Sequence, residues 1–120
     1  MSSSSAHQLG RAGEAAALEY LLARGYELLH RNYRYRRAEV DLIMQLGPAL
    51  LVFVEVKARS SAHYGYPEEF VTERKRQLLR LAAEHLQETL NWTGDIRFDI
   101  LALTATATGL RVEHFEDAFF

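Results

Sequence analysis

The sequence predicts a three-layer α/β/α sandwich with a mixed central sheet and the element order α-β-β-β-α-β-β. Two segments with helical spacing flank three strand-like segments, and two more strand-like segments follow the second helix. The third strand-like segment, residues 50–57, is an almost continuous apolar run. Such a run is typical of a central strand covered on both faces, and a helix on each side of the sheet provides that cover.

The first helix is predicted over residues 8–24, which are rich in Ala and Leu, with Gly25 as its C-terminal stop. Residues 1–7 are Ser-rich and are expected to form a disordered tail, so that residues 8–120 make up a single domain. Thr72 is the predicted N-cap of the second helix, which runs to about residue 90. Its buried stripe is predicted to consist of Leu78, Leu79, Ala82, Leu86 and Leu90.

The predicted strands are residues 26–35, 39–43, 50–57, 95–103 and 110–115. Gly47-Pro48 is a turn signal, so the second and third strands are expected to form a hairpin. Residues 58–67 contain Ser, Gly and Pro and predict a loop. Within that loop His63, Tyr64 and Tyr66 are candidates for substrate contact.

Composition excludes several classes of protein. The chain has no cysteine, which rules out a disulfide framework and a thiolate metal site. No apolar run approaches the length that crosses a bilayer, so a cytoplasmic protein without a membrane partner is expected. A net charge of −2 argues against coating of nucleic acid over the whole surface. The charge is uneven, however: residues 1–83 carry 12 Lys and Arg against 9 Asp and Glu, and residues 84–120 carry 2 against 7.

The basic part contains a cluster of arginines and tyrosines. Four arginines alternate with Tyr33 and Tyr35 near the end of the first strand; they are Arg31, Arg34, Arg36 and Arg37. These arginines are candidates for contacts with phosphates, and the tyrosines for stacking on unpaired bases. Alternatively, the tyrosines face the core while the arginines solvate a sheet edge. Arg59 and Lys75 are two further candidates for binding nucleic acid.

Three charged residues interrupt apolar strands. Glu55 and Lys57 project from one face of the third strand, and Asp41 lies within the apolar second strand. If the hairpin forms, Asp41 and Glu55 are about equally far from its turn. Two neighbouring carboxylates raise each other's pKa unless a cation lies between them, and a hard ion such as Mg²⁺ (or Mn²⁺) suits such oxygen ligands. The alternative for Glu55 and Lys57 is a simple Glu–Lys pair at a strand end that emerges into solvent. The alternative for Asp41 is a strand-end turn carboxylate or a partner for a nearby arginine.

These residues resemble the pattern of the PD-(D/E)xK restriction-endonuclease-like superfamily. The wider pattern resembles the YraN-type family of small bacterial proteins, which are similar to archaeal Holliday junction resolvases. The segments that carry this resemblance are Gly10-x-x-Gly13-Glu14, Asn32-x-Arg34, Glu39-Val40-Asp41-Leu42-Ile43, Val52-Phe53-Val54-Glu55-Val56-Lys57-x-Arg59, Val71-x-x-x-Lys75 and Arg97-Phe98-Asp99. The resemblance implies a restriction-endonuclease-like fold for residues 8–120.

The resemblance also implies roles for individual residues. Asp41, Glu55 and the carbonyl of Val56 would bind Mg²⁺, Glu14 would complete the acidic cluster, and Lys57 would be the catalytic lysine. Without the resemblance, Glu14 would be expected to be simply solvated. The expected function is a metal-dependent endonuclease acting on DNA, including branched recombination intermediates. The alternatives are a non-catalytic nucleic-acid-binding module in recombination or repair, and a structural interaction domain. A homodimer is expected from the resemblance to junction resolvases.

Overall fold

A computed structural model describes residues 2–59 and 71–119. The elements are α1 (Ser2–Ala23), β1 (Glu27–Tyr35), β2 (Ala38–Leu46), β3 (Leu50–Arg59), α2 (Glu73–Leu90), β4 (Asp95–Thr106) and β5 (Gly109–Phe119). The predicted order α-β-β-β-α-β-β is confirmed. Neither described helix is long and apolar enough to span a bilayer.

Five strands form one sheet in the order β1-β2-β3-β4-β5. β3 and β4 pair in parallel and the other neighbours pair in antiparallel, so the sheet is mixed as predicted. The parallel pair requires a crossover, which α2 supplies. Leu46 pairs with Leu50 across the β2–β3 hairpin, and Gly47 adopts a positive φ of 68° in its turn. The Gly47-Pro48 turn signal is therefore confirmed.

Each face of the sheet has its own core. The core beneath α1 includes Leu21, Val52 and Val54, whereas the core beneath α2 includes Phe53 and Leu86. Successive residues of β3 alternate between the two cores, which is why this strand is apolar throughout. Side chains that break the apolar pattern of β3 must therefore lie near one helix or the other.

The helix ends differ from the sequence prediction in two places. Residues 2–7, expected to be a disordered tail, belong to α1. A helix that already exists gains one hydrogen bond for each residue added, which favours its extension into a segment of moderate helix propensity. Leu90, expected in the buried stripe of α2, is 43% exposed, whereas Ala83 joins the stripe and is buried. Thr72 is the N-cap as predicted, since its side chain accepts a hydrogen bond from Lys75 N.

Candidate functional site

Asp41 lies where β2 and β3 separate. Their backbone pairing runs from the hairpin to Leu42 opposite Val54. Beyond that pair the Asp41 side chain continues the contact, because its Oδ2 accepts a hydrogen bond of 2.8 Å from the Val56 N–H. Asp41 on β2 and Glu55 on β3 are the residues that come directly after this last pair on the side away from the hairpin. The two carboxylates are therefore equally far from the turn, as predicted. The structure thus brings the two strand carboxylates together.

Glu55 points to the α2 side of the sheet. Its neighbour in the alternation, Phe53, belongs to the core beneath α2, and the Glu55 side chain is only 5% exposed. Lys75 Nζ, from α2, donates to Glu55 Oε2, and Lys57 Nζ lies 3.5 Å from the same oxygen. The alternative of a Glu–Lys pair is therefore present in the structure. Lys75 also contacts Glu55, because its side chain extends toward the sheet rather than into solvent.

Glu14 reaches the site because α1 packs closely on β3. A Cβ atom at Gly13 would lie 2.8 Å from the Ala58 Cβ, so only glycine permits this approach without displacement. Glu14 is partly buried, and its Oε1 lies 3.8 Å from an Arg31 guanidinium nitrogen. The interpretation of Glu14 as a fully solvated helix residue is thus wrong.

Asp41 experiences the negative charges of the two neighbouring carboxylates. Burial, followed by the negative charge of Glu55, raises the pKa of Asp41 to about 7, and the charge of Glu14 adds to the shift. The hydrogen bond from Val56 and the positive charge of Lys75 act in the opposite direction. Asp41 therefore carries a negative charge that its protein neighbours compensate incompletely.

Two clefts meet at Asp41. The α1-side cleft, of about 440 Å³, is lined by Gly10, Arg11, Glu14, Asp41, Val56, Lys57 and Ala58. The α2-side cleft, of about 270 Å³, is lined by Arg37, Ala38, Glu39, Asp41, Thr72, Arg74, Lys75, Leu78 and Leu79. Asp41 belongs to both linings because it lies at the point where the two strands separate. Glu55 lines neither cleft.

The residues predicted to bind a metal divide between the two faces. Glu14 and Asp41 line the α1-side cleft together with Val56, whereas Glu55 is held by lysines on the α2 side. Among the described residues, no three histidine, aspartate or glutamate side chains converge closely enough to hold an ion by themselves. Mg²⁺ binding by Asp41, Glu55, Val56 and Glu14 therefore stays a prediction. It requires Glu55 to exchange its lysine partners for the ion.

The cations predicted to bind nucleic acid have different surroundings. Arg37 and Lys75 line the α2-side cleft. Arg34 pairs with Glu39 at 3.5 Å, and Arg36 lies over the Tyr35 ring. Arg59 points away from Asp41: it donates to Thr104 Oγ1 and lies 3.6 Å from Glu113, with a side chain only 11% exposed. The structure thus does not bring Arg59 into the linings of the two clefts.

The tyrosines of the basic cluster face the protein. Tyr33 and Tyr35 both pack against the core beneath α2, and the Tyr35 ring stacks on His85 with a centroid distance of 4.0 Å. The core-facing alternative is therefore correct for both. His63, Tyr64 and Tyr66, proposed as loop contacts, lie outside the described residues. Phe119 is buried against Phe98 in the chain's own core.

A buried polar network on β4 and β5 was not anticipated. Asp99 is fully buried and accepts two hydrogen bonds of 2.8 Å from Arg97 and one of 3.0 Å from the Asp117 N–H. His114 Nε2 lies 2.7 Å from Asp99 Oδ2, and Arg97 also donates to the Tyr26 hydroxyl. An arginine and an aspartate two apart in an apolar strand share a face, which is the signal that could have revealed this network.

Together, the mixed five-stranded sheet and the helix on each of its faces match the class predicted from the sequence, an α/β/α sandwich of the order α-β-β-β-α-β-β. Residues 13–103 match the family described as "Uncharacterised protein family UPF0102". The chain belongs to this family, which confirms the predicted YraN-type relationship.

Relatives cover nearly the whole chain. A UPF0102 protein of Christiangramia forsetii is 42% identical over 114 residues, which are 95% of each chain. A UPF0102 protein of Frankia casuarinae is 46% identical over 113 residues, covering 92% of this chain and 95% of the relative. One of Pelotomaculum thermopropionicum is 44% identical over 114 residues, covering 92% and 94%. The described fold thus spans the part of the chain that is shared with these relatives.

Among solved structures, the chain is similar to SfsA of Pyrococcus furiosus, described as a complex with Ca²⁺. The sequence identity is 17% and the TM-score is 0.38. The match covers 92% of this chain, which spans 63% of the SfsA chain. A likeness of this extent says nothing about what this chain binds.

Proposed function

We propose that this protein is a metal-dependent endonuclease that hydrolyses phosphodiester bonds in DNA, including branched recombination intermediates. The observation that supports this most is the state of Asp41. It lies in a cleft with Glu14 and Lys57, and burial and the charge of Glu55 raise its pKa to about 7. A strongly perturbed carboxylate with a specific charged partner in a cleft is typical of functional sites.

The donor set fits a hard divalent cation. Asp41, Glu14 and Glu55 offer carboxylate oxygens, the ligands that Mg²⁺ and Mn²⁺ prefer, and their mutual repulsion is what such a cation removes. The carbonyl of Val56, the residue that follows Glu55, is the proposed main-chain ligand. A bound ion would neutralise charge on the attacked phosphate and acidify a water molecule.

The side chains around Asp41 have separate tasks in this proposal. Asp41 and Glu55 bind the ion, and Glu14 assists from α1. Lys57 lines the same cleft as Asp41, so its ammonium group can orient the attacking water or stabilise charge on the phosphate. Lys57 and Lys75 both contact Glu55 in the structure, so both ammonium groups would be free to contact the phosphate if Glu55 bound the ion instead.

The direct test is cleavage of branched, duplex and single-stranded DNA in Mg²⁺ and in Mn²⁺. We expect cleavage by the wild-type protein and a loss of about 100-fold or more on Glu55→Ala or Asp41→Asn, the scale of removing one essential electrostatic contact at a reacting centre. Glu88→Gln, which alters an exposed carboxylate on α2, is the matched control and should cleave normally. Equal cleavage by Glu55→Ala and the wild type would disprove the proposal.

The raised pKa of Asp41 provides a test that does not need turnover. Asp41 must lose its proton to bind a cation, so affinity for Mn²⁺ should fall by up to about tenfold for each pH unit below 7. Calorimetric titration of Mn²⁺ at pH 8 and pH 6 measures this fall. An affinity that is unchanged between the two pH values would mean that the ion does not bind Asp41.

A non-catalytic nucleic-acid-binding module is the second candidate. It is favoured by the pairing of Glu55 with Lys75 and Lys57, which already neutralises the carboxylate without a metal. In this case DNA binding should survive Asp41→Asn, and no metal should produce cleavage. A structural interaction domain would be indicated if neither divalent ions nor DNA bound.

A further inference from the structure

Three arginines stand out because they have no partner among the residues that the structure describes. The chain has 14 lysines and arginines, and all lie within residues 2–59 and 71–119. In this described part every one of them contacts a carboxylate, a carbonyl, a hydroxyl or an aromatic ring, or has another interaction, except Arg11, Arg37 and Arg74. These three guanidinium groups are therefore free to bind an anion.

All three arginines line the clefts that meet at Asp41. Arg11 lines the α1-side cleft, and Arg37 and Arg74 line the α2-side cleft. Arg37 lies between β1 and β2, and Arg74 lies in the first turn of α2, so two separate elements converge on that cleft. Both side chains are exposed, and a phosphate can reach them from solvent.

The α2-side cleft has the positive charge expected of a phosphate-binding site. Its other charged groups are Glu39, which pairs with Arg34, Lys75, which pairs with Glu55, and Asp41. Arg37 and Arg74 are left as two positive charges against the single carboxylate of Asp41, so the cleft keeps an excess of positive charge. The planar guanidinium group is suited to phosphate because it donates two parallel hydrogen bonds to two of its oxygens.

The α1-side cleft has a different balance. Arg11 is its unpaired cation, but Glu14 and Asp41 contribute negative charge, and Lys57 is held by Glu55. A phosphate there would be repelled unless a divalent ion compensated the carboxylates. One cleft is thus suited to phosphate alone, and the other to phosphate together with a metal ion.

We propose that the α2-side cleft is a second phosphate site, in which Arg37 and Arg74 bind a phosphate next to the one that is attacked at Asp41. A DNA strand would cross the open end of β2 and β3 and place phosphates on both sides of Asp41. The substrate class is therefore an internal stretch of a DNA strand, not a mononucleotide or a terminal phosphate. This inference rests on the proposed function for the position of the attacked phosphate, but the arginine site can be tested alone.

The test uses binding of a short fluorescent single-stranded oligonucleotide in EDTA, measured over a series of salt concentrations. Each lost phosphate contact lowers the slope of log K against log salt by about 0.7 for a single strand. The double variant Arg37→Ala/Arg74→Ala should lose about 0.7 from that slope, because the two arginines bind one phosphate. Arg111→Ala removes an exposed arginine that pairs with Glu113, and it should leave the slope almost unchanged. A double variant with the slope of Arg111→Ala would overturn the proposal.

A phosphate-by-phosphate test locates the contact. A series of oligonucleotides, each with one neutral methylphosphonate linkage, should contain one position that weakens binding of the wild-type protein and not of Arg37→Ala/Arg74→Ala. If every position weakened both proteins equally, the arginines would have no fixed phosphate. If the wild type failed to cleave DNA while these binding results held, the proposed function would fail and the phosphate site would stand.

Discussion

Two aspartates on the same sheet, the partly buried Asp41 and the fully buried Asp99, have opposite electrostatic surroundings. Burial works to raise the pKa of Asp99, but hydrogen bonds from His114, Arg97 and the Asp117 N–H hold it below its usual value. Burial and the charge of Glu55 raise the pKa of Asp41 to about 7, and one backbone hydrogen bond opposes them. Asp99 is thus a structural anion, whereas Asp41 is an incompletely compensated charge. The difference follows from the number of hydrogen-bond donors around each carboxylate.

The largest effect expected is on stability, at Asp99. Asp99→Ala leaves Arg97, with a side chain 17% exposed, without its bidentate partner. Removal of one partner of a buried ion pair costs about 3–5 kcal/mol in the free energy of unfolding. Urea unfolding at pH 7 measures the loss. A loss below about 1 kcal/mol would show that the network does not hold β4 and β5 together.

Gly13→Ala tests the position from which Glu14 acts on Asp41. The added Cβ would meet the Ala58 Cβ at 2.8 Å, so overpacking is expected to cost about 1–3 kcal/mol, partly offset by about 1 kcal/mol of helix propensity. The displaced helix should carry Glu14 away and lower the pKa of Asp41.

Gly10→Ala is the matched control on the same helix. A Cβ at Gly10 meets no atom within 4 Å, so this change should stabilise the helix by up to about 1 kcal/mol. Thermal unfolding compares the two variants. Equal effects at the two glycines would contradict a close approach of α1 to β3 at Gly13.

Asp41→Asn should have an effect opposite in sign to that of Asp99→Ala. The folded pKa of Asp41 lies above its usual value of 3.8, so its contribution to stability is fully present below pH 3.8 and is lost as the pH rises to about 7. Asparagine does not ionise, and the variant should be more stable than the wild type by about 1–2 kcal/mol at pH 8, a value reduced for partial solvent screening.

Urea unfolding at pH 8 and pH 4 measures this difference, which should nearly vanish at the lower pH. Asp99 has the reverse dependence, because a lowered folded pKa gives stability that is present above the unfolded pKa and is lost on acidification. If Asp41→Asn were less stable than the wild type at pH 8, the two aspartates would not have opposite effects on stability, and this prediction would be wrong.

The smallest effect expected separates the two lysines on Glu55. The positive charge of Lys75 lowers the pKa of Asp41, so Lys75→Met should raise that pKa further. Lys57→Met is the comparison, and it should raise the pKa less, because the charge of Lys75, and not that of Lys57, is among the largest influences on Asp41. Titration of the Asp41 carboxyl carbon by NMR measures both shifts. Equal shifts would mean that the two lysines are equivalent.

The sequence was sufficient for features that depend on short-range spacing. Apolar periodicity, Gly25, the Gly47-Pro48 turn and the Thr72 cap predicted the seven elements in their order. The approach of Asp41 to Glu55 was predictable for the same reason. The two residues lie on strands joined by a tight hairpin, so the turn sets which residues face each other.

Only the tertiary structure decided which distant groups meet. Lys75 reaches Glu55 from α2, and Arg97 on β4 binds the Tyr26 hydroxyl, which lies 71 residues earlier in the chain. No periodicity encodes such pairs, because they depend on how each helix lies across the sheet. The sequence by itself thus determined that Asp41, Glu55 and Lys57 lie together at the end of β2 and β3. The packing of α1 and α2 decided that Asp41 stays uncompensated between two clefts, whereas Asp99 is fully paired.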